Sequence, residues 1–391
     1  MSLNSAQPLP RIPLIPQSIL KEHGVSCIID TRFRSAARLL QHLWLRDNAI
    51  TTGVHVRRGD DGDTVMELGS ILDADAARSG RNFLTPAIHA FVRHALILRE
   101  EGAAMDEHRL FANSLSSMPM SFNIFVPLAL DLQLATAVFR TLFHAFVDSV
   151  DHVRFETSPG RREARFLNDG TAFDLAVEVT TPDGERGTIF IETKYSESME
   201  GPAARHRDRY DEASRDVRLY SDPDAAILRS LALEQLWREH ALAQLAVDHG
   251  ITDRAIFVAI GPRLNRRVQA AFRVYANELI PEDDLDTDRV RFRAITLETV
   301  IDTIHEAGAA DLARSLWGRY CDFERVFHLA MAEYASASST AAGPDQSNLA
   351  TPAQPPRSRD RRKLNPSEAG RGHEDPSLPK PTRRTQSGAK S

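Results

Sequence analysis

From residue 152 onward the hydrophobic pattern changes from helical spacing to short apolar runs broken by turn residues, and charged side chains stand inside those runs. Residues 152–157, 172–180 and 188–194 read as three strands, with Pro182-Asp183-Gly184 supplying the turn between the last two. Side chains alternate along a strand, so Glu192, Lys194 and Phe190 project together while Ile189, Ile191 and Thr193 point the other way. Pairing of the second and third strands brings Asp174 toward Glu192 at one end of a sheet. Charges placed in apolar strands are costly unless something compensates them.

The rest of the chain supplies layers for that sheet. Phe33, Ala36, Leu39, Leu40, Leu43 and Trp44 recur at near-helical spacing over residues 31–44, and residues 84–98 repeat the pattern. Downstream, a helix is expected over about 225–247, a strand over 255–260, a helix over about 265–278, a strand over 291–295, and helices to about Tyr334. This order predicts an α/β fold, a mixed sheet flanked by helices, with a helical N-terminal addition. The expected organisation is a mainly helical region over 1–110, a core domain over 111–334, and a disordered basic tail over 335–391, rich in Pro and Ser and without aromatic residues. The apolar stretch 122–147 contains Asp131, Gln133 and Arg140, which fits one buried helix better than a membrane span.

Charge narrows the function less than it first suggests. The net charge is −6, and the tail contributes about +5, leaving the body acidic. Local positive charge remains in Arg161-Arg162-Arg165, Arg205-Arg207-Arg209 and Arg263-Arg266-Arg267, which either meet phosphates or pair with nearby acids. The two cysteines form no CxxC pair, the N-terminus lacks an apolar signal core, and a reducing cytoplasm is the simple expectation. No GxxxxGK loop and no HExxH spacing occurs, and the acidic run 57–63 lacks the position-12 Glu of an EF-hand and reads as an exposed turn.

Lysine is scarce: of 48 basic side chains 5 are lysine, and Lys194 is the only one between Lys21 and Lys363. Lysine offers a compact point charge whose pKa can shift on burial, which arginine does not. Two carboxylates beside that ammonium suit Mg²⁺, which takes one or two protein carboxylates and fills its octahedron with water and phosphate. The Thr193 carbonyl could add a third protein oxygen. Such a metal activates water and polarises a phosphate, while Lys194 orients the water or neutralises the transition state. A structural ion pair, with Lys194 bridging two acids, remains the competing account. On the next helix, Gln235 and Arg238 share a face and either reach this site or form an ordinary surface pair.

At Asp174, Glu192 and Lys194 the chain resembles the PD-(D/E)XK nuclease superfamily, and it is more specifically similar to bacterial restriction-endonuclease-like proteins. The likeness also rests on Ser116-Ser117, Phe122-Asn123-Ile124-Phe125, Phe155-Glu156-Thr157-Ser158-Pro159-Gly160-Arg161, and Leu236-Trp237-Arg238-Glu239-His240. Met118 and Met120 depart from it, standing where a Gln and a Cys are expected. The resemblance implies a metal-dependent deoxyribonuclease using Mg²⁺, with Mn²⁺ able to substitute, and DNA as its partner. Homodimers and inactive members also fall within the expectation. Asp174, Glu192 and Lys194 would be catalytic, Asp174, Glu192 and Thr193 would hold the metal, and Glu156, Gln235 and Arg238 would support them. Arg161 and Arg162 would meet nucleic acid. The superfamily often adds an acid from a preceding helix, for which Glu107 and Glu156 are the candidates. The alternative function is a non-catalytic nucleic-acid-binding or assembly module that retains the fold.

Overall fold

The computed structural model of the protein describes residues 8–57, 62–200, 205–283 and 288–341. Helices α1 (Gln17–Glu22) and α2 (Arg32–Asp47) precede an antiparallel ribbon of β1 (Thr52–Arg57) and β2 (Thr64–Leu72). Helices α3 (Ala74–Arg78), α4 (Pro86–Ile97), α5 (Glu107–Ala112), α6 (Ser117–Leu130) and α7 (Leu132–Leu142) lead to the main sheet. Its strands are β3 (Ser149–Thr157), β4 (Phe173–Thr180), β5 (Arg186–Thr193), β6 (Arg254–Gly261) and β7 (Arg291–Thr296). Helices α8 (Asp208–Asp216) and α9 (Glu234–Asp248) link β5 to β6, and α10 (Arg266–Asn277) links β6 to β7. The chain continues through α11 (Leu297–Glu306), α12 (Ala310–Tyr320) and α13 (Phe323–Ala341).

The five strands lie in the order β3-β4-β5-β6-β7, with β3, β4 and β5 antiparallel and β5, β6 and β7 parallel. This is the mixed sheet, flanked by helices, that the sequence predicts for an α/β fold. Strands β5 and β6 are buried almost throughout, as expected of strands covered on both faces. Leu175, Val177, Ile189, Ile191, Val258 and Ile260 face a core shared with α2, α6, α7 and α11–α13. Ala176, Phe190, Phe257 and Ala259 face a second core against α8, α9 and α10. The alternation of strand side chains thus divides one chain between two helical layers.

Several boundaries differ from the sequence reading, each for a local reason. The stretch 122–147 is two helices bent by 115°, because Asp131 caps α7 by accepting from the amides of Gln133 and Leu134. Among the described residues no single helix is long and apolar enough to cross a membrane, and α6 is largely buried. The helix expected over 225–247 is a short 3-10 turn, Ala226–Arg229, followed by α9. Extended Ser230 separates them, and its carbonyl accepts from the amides of Leu233 and Glu234. The N-terminal third, expected to be mainly helical, also carries the β1–β2 ribbon, and part of the acidic turn between its strands lies outside the described residues. Helix α13 extends past Tyr334 to Ala341 through a run rich in Ala, the best helix former, and tail residues 342–391 lie outside the described residues.

Helix α2 contributes Phe33, Leu39, Leu40 and Leu43 to the same cluster as β4 and β5. Leu40→Ala, at a fully buried position, should cost about 2–5 kcal/mol. The loss should appear as one lowered transition in urea unfolding followed by circular dichroism and tryptophan fluorescence together. A separate early transition of the N-terminal region would show that the shared core does not couple them.

Candidate active site

The register of β4 and β5 brings the sequence motif together. Leu175 pairs with Ile191 in the antiparallel ladder, so Asp174 and Glu192 are the next residues outward on their strands. Both Asp174 carboxylate bonds converge on Thr193: its amide donates to Oδ2 at 2.8 Å and its hydroxyl at 2.6 Å. The Thr193 hydroxyl also lies 2.5 Å from Ser121 Oγ on α6, on the other side of the sheet from Glu192. Beyond β5, the Lys194 amide donates to the Ile260 carbonyl at 2.7 Å and keeps the chain extended alongside β6. Its side chain meets Glu192, with Nζ 2.5 Å from Oε1.

Helix α9 supplies the opposite wall. The break at Ser230 lets α9 begin at Glu234, which places Gln235 in its first turn. Gln235 Oε1 accepts from Lys194 Nζ at 2.7 Å, and its Nε2 donates to Glu192 Oε1 at 2.8 Å and to Glu239 Oε1 at 2.7 Å. Glu192, Lys194 and Glu239 are buried at 4%, 6% and 1% exposure. Three acids therefore surround one ammonium where water is scarce.

Their titration follows from that imbalance. Burial, then the Asp174 and Glu239 charges, hold the Glu192 pKa well above the ordinary value against the pull of Lys194. Burial raises Asp174 as well, opposed first by the Thr193 hydrogen bond. Glu239 is pushed up to about 7, chiefly by burial. Burial works against charge on Lys194, yet Glu192, Glu239 and Glu197 hold its pKa above normal. An added cation relieves such a cluster.

The other candidates divide. Glu156, on β3, is raised to about 7 by burial and then by Asp174, and it lines a cleft of about 400 Å³ together with Gln235, Arg238 and Glu239. Its backbone has φ +49°, a strained conformation for a residue with a side chain. Arg238 faces the same cleft but is held by Glu234 at 2.7 Å and Asp169 at 3.2 Å. The Arg161 side chain is only 7% exposed and is spent on Glu100 and on the carbonyls of Gly102, Gly170 and Glu156, so the structure does not present it to a ligand. Arg162 lies over Gly102 and is not among the residues that line this cleft. Glu107 is exposed on α5 and pairs with Arg99 at 3.7 Å, outside the cluster. His240 is buried against Tyr275 and the Val290 carbonyl. Sequence reasoning missed Glu239, although its position four residues after Gln235 puts both on one helix face.

A family model for the PD-(D/E)XK nuclease superfamily matches residues 28–322. The chain belongs to this superfamily. No curated protein and no solved structure matches it significantly. Members of the superfamily generally use divalent metals, and the donor set here suits one. Asp174 and Glu192 offer only oxygen, their carboxylate bonds to protein engage Oδ2 of one and Oε1 of the other, and burial raises the pKa of both. Among the described residues no group of three or more His, Cys, Asp or Glu side chains could hold a metal.

The buried acids carry a signature in stability. Glu239 has an ordinary pKa of 4.5 when exposed and about 7 when folded, so between those values the folded protein holds a proton the unfolded chain has released. Its contribution is therefore lost as pH rises through that window. His240, lowered to about 4 by burial, has the opposite sign over much of the same range, so a difference between proteins is the proper reading. The stability of metal-free Glu239→Gln relative to the parent should rise by on the order of 1–3 kcal/mol from pH 5 to pH 7 in urea unfolding. A difference that is flat or falls with pH would show that Glu239 is not raised by burial.

Proposed function

We propose that the protein is a Mg²⁺-dependent nuclease that hydrolyses DNA phosphodiester bonds at the end of β5. The observation that carries this reading is the meeting of half-buried Asp174 with buried Glu192 and Lys194 in one cluster with excess negative charge, within the span matched by the nuclease family. Asp174 and Glu192 would hold the metal, with the Thr193 carbonyl as a further oxygen donor and Mn²⁺ able to replace Mg²⁺. When bound, the ion supplies a polarised phosphate and a more acidic water.

The chain's own groups do the remaining work. The carboxylates of Glu192 and Glu239 keep Lys194 an ammonium, so its role is to orient water and neutralise developing negative charge rather than to begin by accepting a proton. Gln235 holds Lys194 and Glu192 in register through its two amide ends. Glu156, which lines the cleft and feels the Asp174 charge, is placed to exchange a proton near neutral pH. Arg205 and Arg207 line the same cleft and supply positive charge for a nucleic-acid backbone. Burial of the acids behind the cleft excludes bulk water and strengthens each of these interactions.

Purified protein incubated with supercoiled plasmid and with single-stranded DNA should cleave with Mg²⁺ or Mn²⁺ and not with EDTA. Lys194→Ala and Asp174→Ala should each lower the rate at least about a thousandfold while leaving the fold intact by circular dichroism. Undiminished cleavage by both variants would sink the assignment. Salt-sensitive DNA binding without cleavage by any of the three proteins would favour a binding module that retains the fold.

A further inference from the structure

We propose that Glu239 is a positioning residue that fixes the Gln235 amide in one orientation and thereby sets the spacing of Glu192 and Lys194. The inference rests on the nuclease reading for its functional consequence, but its structural part stands apart from it. Glu239 is 1% exposed, and among the described residues its carboxylate makes one hydrogen bond, from Gln235 Nε2 to Oε1 at 2.7 Å. Its Oε2 is buried with no partner. The adjacent Arg238 directs its hydrogen bonds to Glu234, Asp169 and Thr171 rather than to Glu239. A buried acid that serves only local structure is normally satisfied at both oxygens. Here the acid's whole hydrogen-bonding capacity in use is directed at one neighbouring amide.

That amide is the joint of the site. Its Oε1 faces the Lys194 ammonium and its Nε2 faces Glu192 Oε1 and Glu239 Oε1. A primary amide has two donor hydrogens at one end and an acceptor at the other, and the two carboxylates use both hydrogens. The flipped amide would set NH₂ against the ammonium and oxygen against two carboxylates. Gln235 also lies on the cleft wall, half-buried, with three side-chain torsions to restrain. Without Glu239 one amide hydrogen loses its charge-assisted bond, and the side chain is free to swing into the cleft. Glu192 and Lys194 would then keep only their direct contact.

The test uses full-length protein with ¹⁵N-labelled glutamine, the Gln235 side-chain amide pair being identified by its loss in Gln235→Ala. The pair should be resolved and slow to exchange in the parent. It should shift and exchange rapidly with solvent in Glu239→Ala, and should largely recover in Glu239→Gln, which retains an acceptor oxygen. On plasmid DNA with Mg²⁺, Glu239→Ala should lower kcat roughly 10- to 100-fold with little change in KM. Gln235→Ala should lose a similar factor and the double variant no more than either. An unchanged amide pair in Glu239→Ala, losses that multiply in the double variant, or a Glu239→Gln protein as impaired as Glu239→Ala would each overturn the proposal. Melting temperatures separate these outcomes from misfolding. If even the parent cleaves nothing, the nuclease reading fails, while the amide signals still decide whether Glu239 positions Gln235.

Discussion

Three carboxylates, half-buried Asp174 and fully buried Glu192 and Glu239, surround a single ammonium, Lys194, and the surrounding architecture exists in large part to make that tolerable. Removing ions from water costs several kcal/mol each unless geometry and hydrogen bonds compensate. The compensation comes from several sides. Thr193, itself met by the Ser121 hydroxyl, holds Asp174, Gln235 bridges Lys194 to two acids, and the Asn265 amide donates to the Tyr195 carbonyl at 3.0 Å just past the motif. A strand end gripped this way has little freedom to relax, which suits a site whose acids must stay close despite their repulsion.

The N-terminal layer takes part in that grip. Gln41 on α2 donates to the Tyr195 hydroxyl at 3.2 Å and to the Arg319 carbonyl at 2.6 Å. Arg34 reaches the Ser196 hydroxyl at 3.1 Å, and Ser196 in turn donates to the Leu115 carbonyl at 2.8 Å. Arg319 itself is fully buried without a carboxylate partner among the described residues, held by Gln41 and Asn82 and stacked over Trp44 at 4.1 Å. Its charge is delocalised and weakly hydrated, which is why an arginine survives there where a lysine would not. The family match, residues 28–322, takes in α2 and α12 as well as the sheet. The helices before β3 therefore serve as a brace for the residues that follow Lys194.

Much of this was readable in the residues because strands advertise themselves by alternation. Ala176 and Phe190 on one face, Leu175 and Ile191 on the other, made the β4–β5 pair and its charged end visible before any coordinates. Features set by single polar residues were not. Ser230 divides what periodicity joins into one helix, and that break decides where Gln235 and Glu239 point. Arg161 looked like a phosphate ligand because its sequence cannot report that three backbone carbonyls and Glu100 claim its guanidinium. The choice between Glu107 and Glu156 likewise depended on tertiary placement, since one faces solvent on α5 and the other lies beside Asp174.

The rarity of lysine now has a geometric reading. Nζ of Lys194 sits between Glu192 Oε1 at 2.5 Å and Gln235 Oε1 at 2.7 Å in a recess only 6% exposed. An arginine there would bring five N–H donors in a fixed fork where the ammonium meets two acceptors, and each unmet donor would carry a desolvation cost. An ammonium brings three, and two are met. On the proposed reading the third is the one directed at chemistry, a donor held in place by protein and left for a water or phosphate oxygen. On the same reading, a chain with 43 arginines keeps a lysine at this strand end because the compact cation sits between the acids and still has a hydrogen bond to give.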